Sequence, residues 1–325
     1  MSPTKRRVTA ADVARSIGLS RATVGFVLNN TPGQTIPEKT RQRVLAEAER
    51  LGYRPNRAAQ ALRRGTSSNL ILMIMPDWPV ETMMGEFLDE VSLQLDRAGY
   101  SLVTSIRRPG DNVRPLWESL SPDVVIGLAE FGPDELESLR ASGVSQILTT
   151  GLSDSEAATA GAREQVRYLH SRGHRRLAYA APSDDRLADL VAARVAAAQD
   201  EAGKLGLDPL DVGPLAPGGG STERRVRQWR DDGITAIVAY NDLVAATVVG
   251  AAMRAGIGVP APLAVVGHDD TRLAEAFVPS LSSVRMAASA LAGQIADLAL
   301  HAAGHLDMAP DLVTPEFGVV RRESA

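Results

Sequence analysis

The side chains best equipped for catalysis are few and poorly spaced for it. The five histidines, His170, His174, His268, His301 and His305, match no metal-ligand signature. His301 and His305 would share one face of a helix, but Gly304 lies between them. The PGGGST run at 217–222 lacks the lysine with which a phosphate-binding loop holds its nucleotide, so it reads as a flexible turn. Cysteine is absent, which removes thiol nucleophiles, disulfides and zinc-thiolate sites. No nucleophile, base and acid fall into a recognisable set. Enzyme chemistry is not expected, and neither is a cofactor or a bound metal.

What the residues do offer is segregated charge. Residues 1–65 hold 13 Lys/Arg against 4 Asp/Glu, while the rest of the chain holds 22 against 35. A basic head on an acidic body suits a polyanion that meets the head alone, since the body would be repelled by it. The head must then position its contacts. In ADVARSIGLSRATVGFVLNN, residues 11–30, apolar positions around Val13, Ala14 and Ile17 recur at helical spacing, with Thr9 placed to cap and Asp12 three residues later. Gly18 ends that helix and Ser20 can cap the next, whose inward positions Val24, Val27 and Leu28 leave Ala22, Gly25, Phe26 and Asn29 outward, with Arg21 at the flank. A third helix is predicted from near Pro37, with Val44, Ala48 and Leu51 on one side.

Helix, tight turn, helix is the arrangement that lays a second helix in the major groove of double-stranded DNA, its small outward residues allowing the backbone close approach. Gly25 costs about 1 kcal/mol relative to alanine inside a helix; close approach to the sugar-phosphate wall is one reason to keep it, and a tolerated defect is the other. Phe26 also reads two ways, as a contact to a thymine methyl or as a residue folded back on the head's own core.

The run from Val8 to Asn29, TRQRVLAEAERLGYRPN at 40–56 and the following NRAAQALRRG together resemble the lactose/galactose repressor family of bacterial transcription regulators. The resemblance implies a homodimer that binds operator DNA under the control of a small effector, consistent with symmetric half-sites that one head could not read alone. The DNA-facing set it implies is Thr9, Ala10, Ser20, Arg21, Ala22, Gly25, Phe26, Asn29, Thr40 and Tyr53. In one respect the chain departs from the family, which usually has serine and then arginine where Gly25 and Phe26 stand here.

RPNRAAQALRRGTSSN, residues 54–69, reads as a short helix of good formers followed by a flexible linker. By resemblance it is a hinge helix that enters the minor groove, Leu62 being the wedge and Asn56, Ala59 and Gln60 its neighbours. Beyond it, β-type runs alternate with helical patterns, which predicts parallel sheets with crossover helices. The expected organisation is an all-α helix-turn-helix head at 1–53, a hinge at 54–69 and, at 70–325, an α/β core of two Rossmann-like lobes. By resemblance that core is periplasmic-binding-protein-like, and its chain crosses between lobes near 155–162, 281–288 and 309–315.

By the same resemblance Arg194, Asn241 and Asp269 hydrogen-bond the effector. A guanidinium, an amide and a carboxylate suit a polar small molecule, carbohydrates included. Asp242 and Asp270 read better as braces of turns. Trp78 is either a stacking platform or a buried or rim residue. With 44% hydrophobic and 23% charged residues the composition is ordinary for a globular chain. MSPTKRR leads into no apolar signal core and no run approaches the ~18 apolar residues of a membrane span, so a cytoplasmic protein is expected. The alternative is a solute-binding protein with a basic appendage, which a secretion signal would have favoured.

Overall fold

The structure, a computed structural model, describes residues 8–28, 36–53, 68–79, 82–107, 114–151, 155–216, 220–310 and 315–325. Asn29 and the hinge positions Asn56, Ala59, Gln60 and Leu62 lie outside the described residues, as does part of the 217–222 turn. The chain forms two compact units, 1–68 and 69–325.

In the first unit, three helices, α1 (Ala10–Ile17), α2 (Arg21–Leu28) and α3 (Glu38–Arg50), share a core of Val13, Ala14, Val24, Val27, Val44 and Ala48. Thr9 and Asp12 form the reciprocal cap of α1: Thr9 Oγ1 accepts from the Asp12 amide at 3.3 Å and the Thr9 amide donates to Asp12 Oδ2 at 2.9 Å. Hydrogen bonds from Thr9, with Arg15 adding to them, hold the Asp12 carboxyl at about 2. Gly18 closes α1 in the left-handed conformation, φ 67°, which a glycine adopts without steric cost. Ser20 Oγ then accepts from the Thr23 amide at 3.0 Å and starts α2. Ser16 donates to Glu47, which also takes two hydrogen bonds from Arg50, so the surface of α1 is tied to α3.

The second unit holds two α/β lobes. In the first lobe β1 (Leu70–Met75), β2 (Ser101–Ile106), β3 (Val124–Gly127) and β4 (Gln146–Thr149) form a parallel sheet in the order β2-β1-β3-β4. LILMIM is apolar throughout because both faces of β1 are covered: Ile71, Met73 and Met75 pack with helices α4 (Thr82–Arg97) and α12 (Ala288–Ala302), while Leu72 and Ile74 pack with Trp117 and Leu139 on the other side. The second lobe has the order β10-β9-β8-β7-β5-β6 over β5 (Leu177–Pro182), β6 (Asp211–Leu215), β7 (Ala236–Ala239), β8 (Ala264–His268), β9 (Ser282–Met286) and β10 (Phe317–Val320). All its pairings are parallel except β10 with β9. Helices α7 (Glu156–Ser171) and α8 (Ala188–Lys204) pack together in this lobe, joined by the bidentate pair of Arg167 with the buried Glu201, 2.7 and 2.9 Å.

Several expectations need correction. Residues 155–162 belong almost wholly to α7, so the first passage between lobes lies between Thr149 and Glu156. The second, between β9 and α12, and the third, between α12 and β10, agree with the expected 281–288 and 309–315. Strand-forming DVGPL, SSVRM and FGVV did not stand out in the sequence, the first because an edge strand tolerates the proline and glycine that argue against a strand elsewhere. The core is also not wholly parallel. α12 ends at Ala302 and Gly304 turns with φ 73°, so His301 and His305 share no helix face; His301 Nδ1 instead meets the Leu306 carbonyl at 3.0 Å. Among the described residues no helix is long and apolar enough to cross a membrane, and no group of acidic residues and histidines is placed to hold a metal ion.

Candidate functional site

On the first unit the second helix sorts its residues cleanly. Val24 and Val27 are buried, while Arg21 and Ala22 are exposed and Phe26 is 36% exposed. Phe26 is not among the buried side chains of the three-helix core, and its partial exposure leaves it accessible for an outward contact. Thr9 and Ser20 are exposed but their oxygens already cap helices. Thr40 and Ala10 are half-buried, and Tyr53 packs against the core, its amide bonded to the Ala48 carbonyl at 2.8 Å.

The second unit contains a cavity of about 80 Å³ at the carboxyl ends of its strands, where open α/β sheets gather their ligands. The polar groups arrive from α8 and from the ends of β7 and β8. Arg194 projects from α8 and is 6% exposed; its Nε donates to the Ala158 carbonyl at 3.0 Å and its Nη1 to the Tyr240 carbonyl at 2.9 Å, with the guanidinium 4.6 Å from the centre of the Tyr240 ring. Asp269 directly follows β8 and holds φ at 90°, a left-handed conformation uncommon for a side-chain-bearing residue and characteristic of functional positions. Its Oδ1 accepts from His268 Nδ1 at 2.6 Å. Burial, with the Arg194 charge adding to it, lowers the pKa of His268, against the opposing pull of the Asp269 carboxylate. Burial alone would raise Asp269, yet the charge and hydrogen bond of His268, with the Arg194 charge, outweigh it and lower the Asp269 pKa. His268 Nε2 is buried without a partner and points at Gly161 on α7.

Trp78, just past β1, lines the same cavity and packs against the second lobe's core. Asn241 does not line it: its Oδ1 accepts from the Val244 amide at 2.9 Å and caps α10 (Asp242–Arg254). Asp242 and Asp270 brace turns as expected. Asp242 accepts from the Thr271 amide, the Thr271 hydroxyl and the Ser283 hydroxyl at 2.6, 2.8 and 2.6 Å, and burial nevertheless pushes its carboxyl up to about 6. Asp270 is paired with Arg285 and Arg322.

Sequence reasoning missed the apolar walls, chiefly Met83, Met84 and Phe87 from α4 with Met286 and Leu291. It also missed Gln165, whose buried amide donates to the carbonyls of Ala239, Val266 and Gly267 at 2.8, 3.0 and 2.9 Å and so fixes α7 across the ends of β7 and β8. A glutamine among alanines and valines on α7 was the available signal.

Comparison with known proteins agrees with this division. Residues 9–56 match the model of bacterial regulatory proteins of the lacI family, and residues 166–325 match a periplasmic binding protein-like domain. The chain is 31% identical over 317 residues to the transcriptional regulator MalR of Streptomyces coelicolor, covering 88% of this chain and 87% of that one. To the regulator GalS of Salmonella typhimurium it is 29% identical over 317 residues, covering 93% and 92%. Its fold is similar to that of the lac repressor dimer solved bound to operator and the anti-inducer ONPF, with TM-score 0.77, 22% identity, and 98% and 99% of the two chains covered.

Proposed function

The chain belongs to the lacI family of bacterial regulatory proteins, and on that premise we propose that its first unit reads operator DNA while its second binds a small hydroxyl-bearing effector that controls the reading. It is a transcriptional regulator; which DNA and which effector it takes are the points at issue. The observation that carries the reading is the second helix of the head, capped by Ser20 and anchored by Val24 and Val27, with Arg21, Ala22 and Phe26 turned to solvent. Such a face fits a major groove, with the excess of Lys and Arg in residues 1–65 supplying phosphate contacts.

Arg21, Ala22, Gly25, Phe26 and Asn29 form the proposed base-reading set, and Thr9, Ala10, Ser20, Thr40 and Tyr53 the flanking contacts. Asn56, Ala59, Gln60 and Leu62 remain the proposed hinge contacts, and residues 1–53, 54–69 and 70–325 the head, hinge and core. Two such chains in a homodimer would match a two-fold operator. In the core, Arg194, Asp269 and Trp78 are the proposed effector contacts, and Asn241 contributes by fixing the start of α10. The lac repressor dimer bound to operator and a regulator called CelR in complex with cellobiose support this reading by analogy of fold.

The test is a titration of the full chain with duplexes selected from random sequence, repeated across salt concentrations. Binding should weaken linearly in log salt, by about 0.9 log unit per neutralised phosphate for each tenfold rise. A flat response, or no selected site, overturns the reading.

A further inference from the structure

The cavity of the second unit is chemically one-sided. Its polar contributors among the described residues are Arg194, Tyr240, His268 and Asp269 from the second lobe, with the indole N–H of Trp78 after β1, whereas α4 supplies Met83, Met84 and Phe87. Much of that polarity is already spent within the protein. Arg194 gives Nε and Nη1 to two backbone carbonyls, and His268 gives its Nδ1 proton to Asp269. Asp269 lines the cavity, held in place by the backbone at φ 90° and by the hydrogen bond its amide donates to the Val284 carbonyl at 2.9 Å.

A hydroxyl-rich sugar fits this supply badly. Each hydroxyl buried without a partner costs about 1–3 kcal/mol, and a pyranose would press most of its hydroxyls against methionine and phenylalanine. The walls favour another class. Three methionines, Met83, Met84 and Met286, together with Phe87 and Trp78 offer polarizable sulfur and π surface, which suits an aromatic ring. A cavity of about 80 Å³ exceeds several-fold the roughly 10–15 Å³ that one water needs, which is room for a small guest. The facing charges of Arg194 and Asp269 leave the site near neutrality, so it selects an uncharged guest.

From the effector reading of the second unit, on which this rests, we infer that the cavity takes a neutral monocyclic aromatic compound with one hydroxyl, its ring against Met83, Met84 and Phe87 and its hydroxyl donating to Asp269. Aromatic alcohols and phenols are the class. Toluene lacks the donor, and glucose lacks the apolar body.

The experiment uses the full chain, with p-cresol and benzyl alcohol as probes and toluene, glucose and galactose as comparisons, read by calorimetric titration and by the shift in melting temperature. At millimolar concentration at least one of the two probes should bind and raise the melting temperature, about tenfold more tightly than toluene, with no response to either sugar. Asp269→Asn should weaken that probe about tenfold, and Met84→Gln should weaken both the probe and toluene. The inference is overturned if neither probe binds, if a sugar binds more tightly than both, or if Asp269→Asn leaves probe affinity unchanged. Operator binding by the ligand-free chain is measured separately, so failure here removes the ligand class and leaves the regulatory reading standing, whereas absence of operator binding removes that reading itself.

Discussion

Gly161→Ala is a one-carbon change whose cost the structure sets. Gly161 lies within α7, where alanine is normally favoured by about 1 kcal/mol. Here an added Cβ would stand 2.6 Å from His268 Cδ2 and closer still to Nε2, inside van der Waals contact. The imidazole has little room to yield, being 2% exposed, tied to Asp269 through Nδ1 and tilted against the Phe317 ring. Overpacking of this kind costs about 1–3 kcal/mol, and displacing the ring forfeits a charge-assisted hydrogen bond of about 1.5–3 kcal/mol. Set against the helix gain of about 1 kcal/mol, the net loss is about 1.5–5 kcal/mol, or roughly 3–20 °C in the melting of the second unit. Tryptophan fluorescence during thermal and urea unfolding reads this directly, since Trp117 and Trp229 are buried there. The decisive comparison is the His268→Ala background, where the obstacle is gone and Gly161→Ala should stabilise by about 1 kcal/mol. An equal effect of Gly161→Ala in both backgrounds would refute the reasoning.

Phe26→Arg should redirect the head: the wild type should enrich duplexes with a thymine at the contacted position, and the variant guanine, the guanine preference amounting to about 1–3 kcal/mol. Identical enrichment from random DNA would show that Phe26 reads nothing. Asp242 supplies a pH test. Its folded carboxyl sits near 6, above the ordinary carboxylate value, so its contribution to stability is fully present below about pH 4 and is lost as pH rises through about 6, a change of up to about 3 kcal/mol. The stability of the wild type minus that of Asp242→Asn, from urea midpoints, should fall over that window; a constant difference would show that Asp242 is not penalised by burial.

The head was legible because its signals are local. Thr9, Asp12, Gly18 and Ser20 start and stop helices through contacts three or four residues away, and the structure shows each of these caps in place. The core strands were legible where both faces are buried, as in LILMIM, and invisible where an edge or a polar lining loosens the pattern, as in DVGPL and SSVRM. Asn241 and Asp242 could not be apportioned between ligand and scaffold, because an amide or carboxylate at a strand end serves either purpose; only the bonds to the Val244 and Thr271 amides show which contacts they make.

The two halves of the cavity were unequally legible for a physical reason. A charged residue amid apolar strands and helices, such as Arg194 or Asp269, is conspicuous, because burial without partners would cost several kcal/mol and some compensation must exist. Met83, Met84 and Phe87 carry no such mark: on α4 they occupy positions like those of Val91 and Leu95, and nothing in their chemistry separates a side chain facing a cavity from one facing a neighbouring helix. Sequence therefore announces the polar end of a ligand and conceals the apolar end. A reading based on Arg194, Asn241 and Asp269 alone expects a polar small molecule, carbohydrates included, and the walls that only the fold brings together move the expectation to an aromatic ring with a single hydroxyl.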